Sequence, residues 1–181
     1  MKKIAICGGA GFIGSHLCKR LRDDGHYVVS YDRKMPEHGF APAHEYHIFD
    51  LRNSPDYFAA FRWQQYDEVY QLAAEMGGAE YIFSGQNDAE IMRSSALINL
   101  NVLEACAQSG VKKIFFASSA CVYPTLTNSH AQKLGYDACR EEDAGNPDSP
   151  YGWEKLFSEK LYNSYGRNKG IAVRIGRFHN I

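Results

Sequence analysis

Four side chains in two short stretches have the types and spacing to move protons. In "SPYGWEKLFSEKL" Tyr151 and Lys155 form a Y-x-x-x-K pattern, so a helix would put the phenol and the ammonium on one face. A nearby ammonium lowers the pKa of a phenol, which would let Tyr151 act as acid or base closer to neutral pH. Taken alone, that spacing more often marks a solvated helix face. In "SSACVYP", residues 118 to 124, Ser119 directly follows the apolar run "KIFFAS" and Cys121 comes two positions later. A serine there can orient a hydroxyl group whose proton Tyr151 removes. A thiol, with a reference pKa of about 8.5, can reach both protonation states near neutral pH. A free cysteine is also commonly a small buried hydrophobe, and on local grounds both readings of Cys121 stand.

Removing a hydroxyl proton becomes an oxidation when a hydride acceptor is at hand, and the opening of the chain provides for one. "CGGAGFIGSH" follows a short apolar run and leads into a helical pattern, placing Gly8, Gly11 and Gly14 in a G-x-x-G-x-x-G array. Such glycines allow a tight turn and bring backbone N–H groups close to a pyrophosphate at the positive end of a helix. The array alone is a weak signal, since glycines also cluster in plain turns. Asp32 strengthens it. It closes the second apolar run 18 residues after Gly14, where a carboxylate accepts hydrogen bonds from the adenosine ribose hydroxyls. It would also repel a 2′-phosphate, so NAD is expected rather than NADP, with neighbouring Arg33 keeping NADP open. Asp50 in "FDL" suits either an adenine amine or the cap of a helix starting near Asn53. With Ser119 orienting a sugar hydroxyl and Tyr151 taking its proton, Lys155 would tune Tyr151 and hold the nicotinamide ribose. A P-loop is excluded because G-K-[ST] is missing.

Positioning these residues requires alternating strands and helices. Apolar runs at 3 to 7, 27 to 31, 45 to 49, 67 to 73, 113 to 118 and 171 to 176 read as strands. Helical spacing marks 12 to 24, 55 to 62, 88 to 109 and 151 to 167. This alternation predicts right-handed βαβ units and an α/β fold: a Rossmann-type, doubly wound parallel sheet flanked by helices. Loops are expected at 33 to 44 and 124 to 150, the second long enough to be functional.

The bulk properties narrow the partner to a small molecule. The 181 residues fit one domain, and a net charge of −1 with a pI near 6.6 leaves no basic footprint for nucleic acid or an anionic membrane. No run approaches the roughly 18 apolar residues of a membrane span, and the "MKKIAIC" start leads into a glycine turn rather than a cleavage site. Five cysteines without C-x-x-C spacing fit a reducing, cytoplasmic setting better than disulfides or zinc. No metal site is expected: His44 and His47 have ligand-like spacing without a third ligand, and a surface loop is the simpler reading.

Taken together, these motifs resemble the extended short-chain dehydrogenase/reductase family of NAD-dependent nucleotide-sugar epimerases and dehydratases, over nearly the whole chain. Within it, "LAAEMGG", "ASSACVYP", "YGWEK" and "RIGRFHNI" are most similar to the GDP-mannose 3,5-epimerase branch. The resemblance implies bound NAD and adds Phe12, Ile13, Leu51, Leu72, Ala73 and Ala74 to the cofactor site. It implies that Cys121 exchanges protons at C3 and C5 of a GDP-hexose after transient oxidation at C4, working opposite a lysine. Gly77 and Gly78 match a loop that approaches the substrate, and Asn180 an asparagine that contacts the nucleotide diphosphate, with Arg177 and His179 as further candidates. Trp153 reads as packing. By the same resemblance, residues 1 to 181 correspond to the NAD-binding domain, the substrate domain and the opposing lysine lie beyond Ile181, and helices 88 to 109 and 151 to 167 pair in a homodimer. Weak NAD binding and little turnover are therefore expected of these residues alone. Two alternatives stand beside this reading: a GDP-fucose synthase-like oxidoreductase using NADPH, and a dinucleotide-binding module without turnover.

Overall fold

The structure, a computed structural model, describes residues 1–36, 42–53, 61, 64–124 and 141–179. Six parallel strands form one sheet: β1 (Lys3–Cys7), β2 (Tyr27–Asp32), β3 (Glu45–Ile48), β4 (Glu68–Gln71), β5 (Lys113–Ser119) and β6 (Ala172–Phe178), in the order β3-β2-β1-β4-β5-β6. The order reverses beside β1, where ligands of open α/β sheets bind beyond the carboxyl ends of the strands. Residues 3–7, 27–32 and 113–119 end there, carrying the glycine turn, Asp32 and Ser119 to one edge. The expected strands are all present, and each falls within a residue or two of its predicted limits.

Period-two alternation explains the two cores. On β1, Ile4 and Ile6 pack with Cys18 of helix α1 (Phe12–Asp23) on one face. Ala5 and Cys7 face the other way, onto a larger cluster with Val102 and Leu103 of helix α3 (Asp88–Gln108) and Tyr162 of helix α4 (Pro150–Lys169). Both faces are covered, so β1 and β2 are buried along nearly their whole length. A five-residue helix, α2 (Ala79–Phe83), stands where the sequence signalled none. The helix expected over 55 to 62 lies outside the described residues, apart from buried Phe61. So does 125–140 of the long expected loop, which otherwise includes a single 3₁₀ turn at Glu141–Asp143.

Local signals fix the limits of α4. Ser149 caps it, its hydroxyl accepting from the Gly152 N–H at 3.1 Å, and Pro150 occupies the first turn. Gly170, with φ of 69°, ends it in the left-handed conformation that a side chain would strain. His44 sits in an exposed bend, as expected, whereas His47 does not sit in a loop. His47 lies in β3 and His44 just before it, stacked on Tyr31 and Tyr27 of β2, because an edge strand offers aromatic rings a cross-strand partner. Trp153 is about half exposed on α4 and does not pack into the core as expected. No helix among the described residues is long and apolar enough to cross a membrane, and no group of three His, Cys, Asp or Glu among them is placed to hold a metal ion.

Candidate active site

The cofactor groove begins at the turn after β1. Gly8 has φ of +85°, and a Cβ there would stand 2.8 Å from the backbone nitrogen of Ala73; one on Gly14 would stand 2.1 Å from the Gly8 carbonyl oxygen. Both glycines are needed for main chain to close on main chain. Gly11 precedes α1 as its N-cap without a side-chain cap bond, and the first turn of α1 carries no acidic residue. The helix therefore presents its positive end to an anion. Phe12 is exposed and Ile13 half-buried in that turn.

Asp32 receives the Ala10 N–H on Oδ2 at 3.0 Å and the Lys34 N–H on Oδ1 at 3.3 Å, which fixes its carboxylate at the end of β2. A groove of about 260 Å³ runs past Gly8, Gly11, Asp32, Asp50, Leu51, Leu72, Ala73 and Ala74. Eight of the residues predicted to hold the cofactor thus share one surface. Asp50 accepts the Arg52 N–H at 3.0 Å and the Arg52 guanidinium at 2.6 Å, and that guanidinium holds its carboxyl below the usual range. Its backbone oxygen, not its side chain, receives the Asn53 N–H. An open groove with a main-chain floor, a helix N-terminus and a fixed carboxylate at the ribose end fits a dinucleotide.

Ser119, Tyr151 and Lys155 come together at the end of β5. The Ser119 hydroxyl oxygen accepts the Cys121 N–H at 3.2 Å. All three side chains are buried. Lys155 Nζ donates to the Ala117 carbonyl at 3.1 Å and lies 5.8 Å from the centre of the Tyr151 ring. The expected lowering of the phenol by Lys155 is not seen. Burial pushes Tyr151 up and the Ser119 hydroxyl pulls it only partly back, while burial pushes Lys155 down. A lysine whose own charge is disfavoured is a poor electrostatic partner.

Cys121 differs from the other described cysteines. Cys7, Cys18 and Cys106 are buried, and burial pushes Cys18 up to about 12 and Cys106 well above the usual thiol range. Cys121 is partly exposed in a 3₁₀ turn (Ala120–Val122) and lines a second cleft with Ile82, Phe83, Asp88, Tyr123 and Ser149. Gly77 and Gly78 are exposed at the start of α2; a Cβ on Gly77 would strike the Tyr81 ring, 2.6 Å away, whereas none would touch Gly78. Asn180 lies outside the described residues.

Arg177, a further candidate for substrate contact, is held by groups of the chain itself. It makes two bonds to Glu159, at 3.0 and 2.8 Å, and donates to the Tyr123 hydroxyl at 2.8 Å and the Glu141 carbonyl at 3.0 Å. Glu159 also receives Ser118 at 2.6 Å. Arg177 thus ties β6 and α4 to the segment just past Cys121. A second buried network went unread in the sequence. Asn99 accepts from Gln71 at 2.8 Å and Tyr162 at 3.1 Å, and donates to Glu154 at 3.1 Å and Ser158 at 3.0 Å. Gln71 in turn bonds both the N–H and the carbonyl of Ala73, so the network runs from the catalytic helix to the groove floor. An asparagine inside the apolar stripe of α3 was the available signal.

The family model for the NAD dependent epimerase/dehydratase family matches residues 4–181. GDP-mannose 3,5-epimerase 1 of Oryza sativa subsp. indica is 40% identical over 183 residues, covering 99% of this chain and 46% of the relative. GDP-L-fucose synthase of Escherichia coli (strain K12) is 26% identical over 173 residues, covering 96% and 49%. Among solved structures, the Thermus thermophilus UDP-glucose 4-epimerase complex with NAD superposes with a TM-score of 0.80 at 28% identity, covering 97% of this chain and 54% of that one. The chain spans about half the length of the relatives it matches. On the family match and the groove together, the chain belongs to the NAD dependent epimerase/dehydratase family, whose cofactor is NAD.

Proposed function

We propose that these residues form the NAD-binding part of a nucleotide-sugar epimerase of the GDP-mannose 3,5-epimerase type, acting on a GDP-hexose. The observation that carries the reading is Cys121, a partly exposed thiol that lines the second cleft and whose backbone N–H is bonded to the Ser119 hydroxyl, at the end of β5 where Tyr151 and Lys155 also lie. When bound, NAD supplies the hydride acceptor for a sugar hydroxyl and, in its oxidised form, a positive charge. Ser119 orients that hydroxyl and Tyr151 takes its proton, a transfer that any added positive charge eases because burial holds the phenol up. Lys155 stands ready for a ribose hydroxyl. Oxidation at C4 would acidify the protons on C3 and C5; Cys121 as thiolate would take a proton from one face of the ring, a second acid/base would deliver one to the opposite face, and return of the hydride to C4, with Tyr151 giving its proton back, would restore the hydroxyl. Gly77 and Gly78 belong to the loop that approaches the substrate. Asn180 contributes to the diphosphate contact.

The greater identity to the epimerase than to the fucose synthase favours this branch, and Asp32 favours NAD. Half-exposed Trp153 and Phe157 on α4, with Met92 and Leu100 on α3, support a homodimer through those two helices.

The test is deuterium uptake from D2O into GDP-mannose in the presence of NAD, read by mass spectrometry of the sugar nucleotide. Uptake by this chain, or by the chain joined to a relative's C-terminal part, that is lost in Cys121→Ala supports the reading. NAD binding with no uptake in either form would leave a dinucleotide-binding module instead.

A further inference from the structure

The adenosine end of the groove holds two arginines, either of which could serve a 2′-phosphate, and both are already held by carboxylates. Arg33 follows Asp32 directly, the position from which a guanidinium accommodates the extra phosphate of NADP. Its Nη1 instead reaches Glu75 Oε2 at 3.2 Å. Arg52 is bonded by Asp50 and Glu90, at 2.6 and 3.2 Å, and stands 3.9 Å from the same Glu75 oxygen. Glu75 is itself well fixed: it is buried, its N–H donates to Ser95 Oγ at 3.1 Å, and its other oxygen receives the Tyr81 hydroxyl at 3.4 Å. It lines the groove with Asp32, Arg33 and Asp50.

We infer that Glu75 is a specificity-determining residue, drawing Arg33 across the groove and so withholding it from a 2′-phosphate. The inference rests on the groove being the NAD site proposed above. On this view selectivity has two parts. Asp32 repels the phosphate, and Glu75 removes the cation that would compensate. The motif position of Arg33, which taken alone keeps NADP open, is thereby neutralised by a residue 42 positions later. Because the Arg33 side chain is about half exposed, the pair is screened by water and its effect is modest.

The experiment is titration of NAD and NADP into the chain by calorimetry, with Glu75→Gln, Arg33→Ala and the double variant alongside, and thermal melts to confirm folding. Glutamine keeps the size of Glu75 and its acceptor for Tyr81. NADP is expected to tighten roughly two- to fivefold in Glu75→Gln, as for one partly exposed charge pair re-formed, with NAD nearly unchanged. That gain should vanish in the double variant, and Arg33→Ala alone should leave NADP affinity where it was. Unchanged NADP affinity in folded, NAD-binding Glu75→Gln would overturn the inference. So would Arg33→Ala weakening NADP in the parent chain as much as in Glu75→Gln, since Arg33 would then already be available. If the folded parent binds neither dinucleotide, the cofactor site itself is misplaced and the inference falls with it.

Discussion

A Cβ on Gly152 would stand 2.2 Å from the carbonyl oxygen of Cys121, so the turn bearing the thiol rests directly on the helix bearing Tyr151 and Lys155. Gly152→Ala must push the two apart. It should destabilise the chain by about 1–3 kcal/mol, as overpacking does. Differential scanning calorimetry should show the loss as a fall in Tm of roughly 2–4 °C per kcal/mol. In an active form it should also reduce deuterium uptake into the sugar nucleotide, by shifting the turn that carries Cys121.

The Asn99 network ties α3, α4 and β4 together at one buried amide. Asn99→Leu leaves Gln71, Tyr162 and Ser158 short of partners, beside a Glu154 oxygen, Oε2, that already has none. Removing one member of such a network costs about 2–4 kcal/mol, more than the mean hydrogen bond, because the others stay buried. Urea denaturation should show a lower midpoint with an unchanged slope. Since Gln71 also holds Ala73, NAD affinity should fall with it.

Arg52 gives the groove a dependence on acid. It holds the Asp50 carboxyl below its unfolded value of 3.8, so the pair's contribution is fully present above that pH and is lost as pH falls through the folded value. Arg52→Met should lower Tm at pH 6 and leave a shrinking difference from the parent below about pH 4. A difference that stays constant down to pH 3 would mean the pair contributes packing and not charge.

Trp153 and Phe157 lie one helical turn apart on α4, each about half exposed. If these rings meet a second copy, Trp153→Glu with Phe157→Glu should convert a dimer to a monomer in sedimentation velocity while the circular dichroism spectrum is kept. A sedimentation coefficient that does not move would place the dimer contact, if one forms, on another face.

Strand positions were legible because β1, β2 and β5 are short apolar runs closed by glycine or polar residues, and the glycine array and Asp32 located the groove. Ser119, Tyr151 and Lys155 were found by type and spacing. Their electrostatics were not, because a spacing of four says nothing about burial, and burial outweighs the neighbouring ammonium at Tyr151. The role of Arg177 was hidden for a similar reason: its partners Glu159, Tyr123 and Glu141 are distant in sequence and meet only when β6 joins β5. Trp153 misled because size suggests a core residue, whereas its position on α4 turns it outward.

The floor of the groove is main chain: Gly8 abuts Ala73, and Gly14 closes on Gly8. A surface made of peptide groups keeps its shape and its donors when the side chains around it are exchanged. Substitutions along the walls can therefore accumulate without re-cutting the seat beneath them, leaving discrimination between ligands to a few rim residues that are free to diverge.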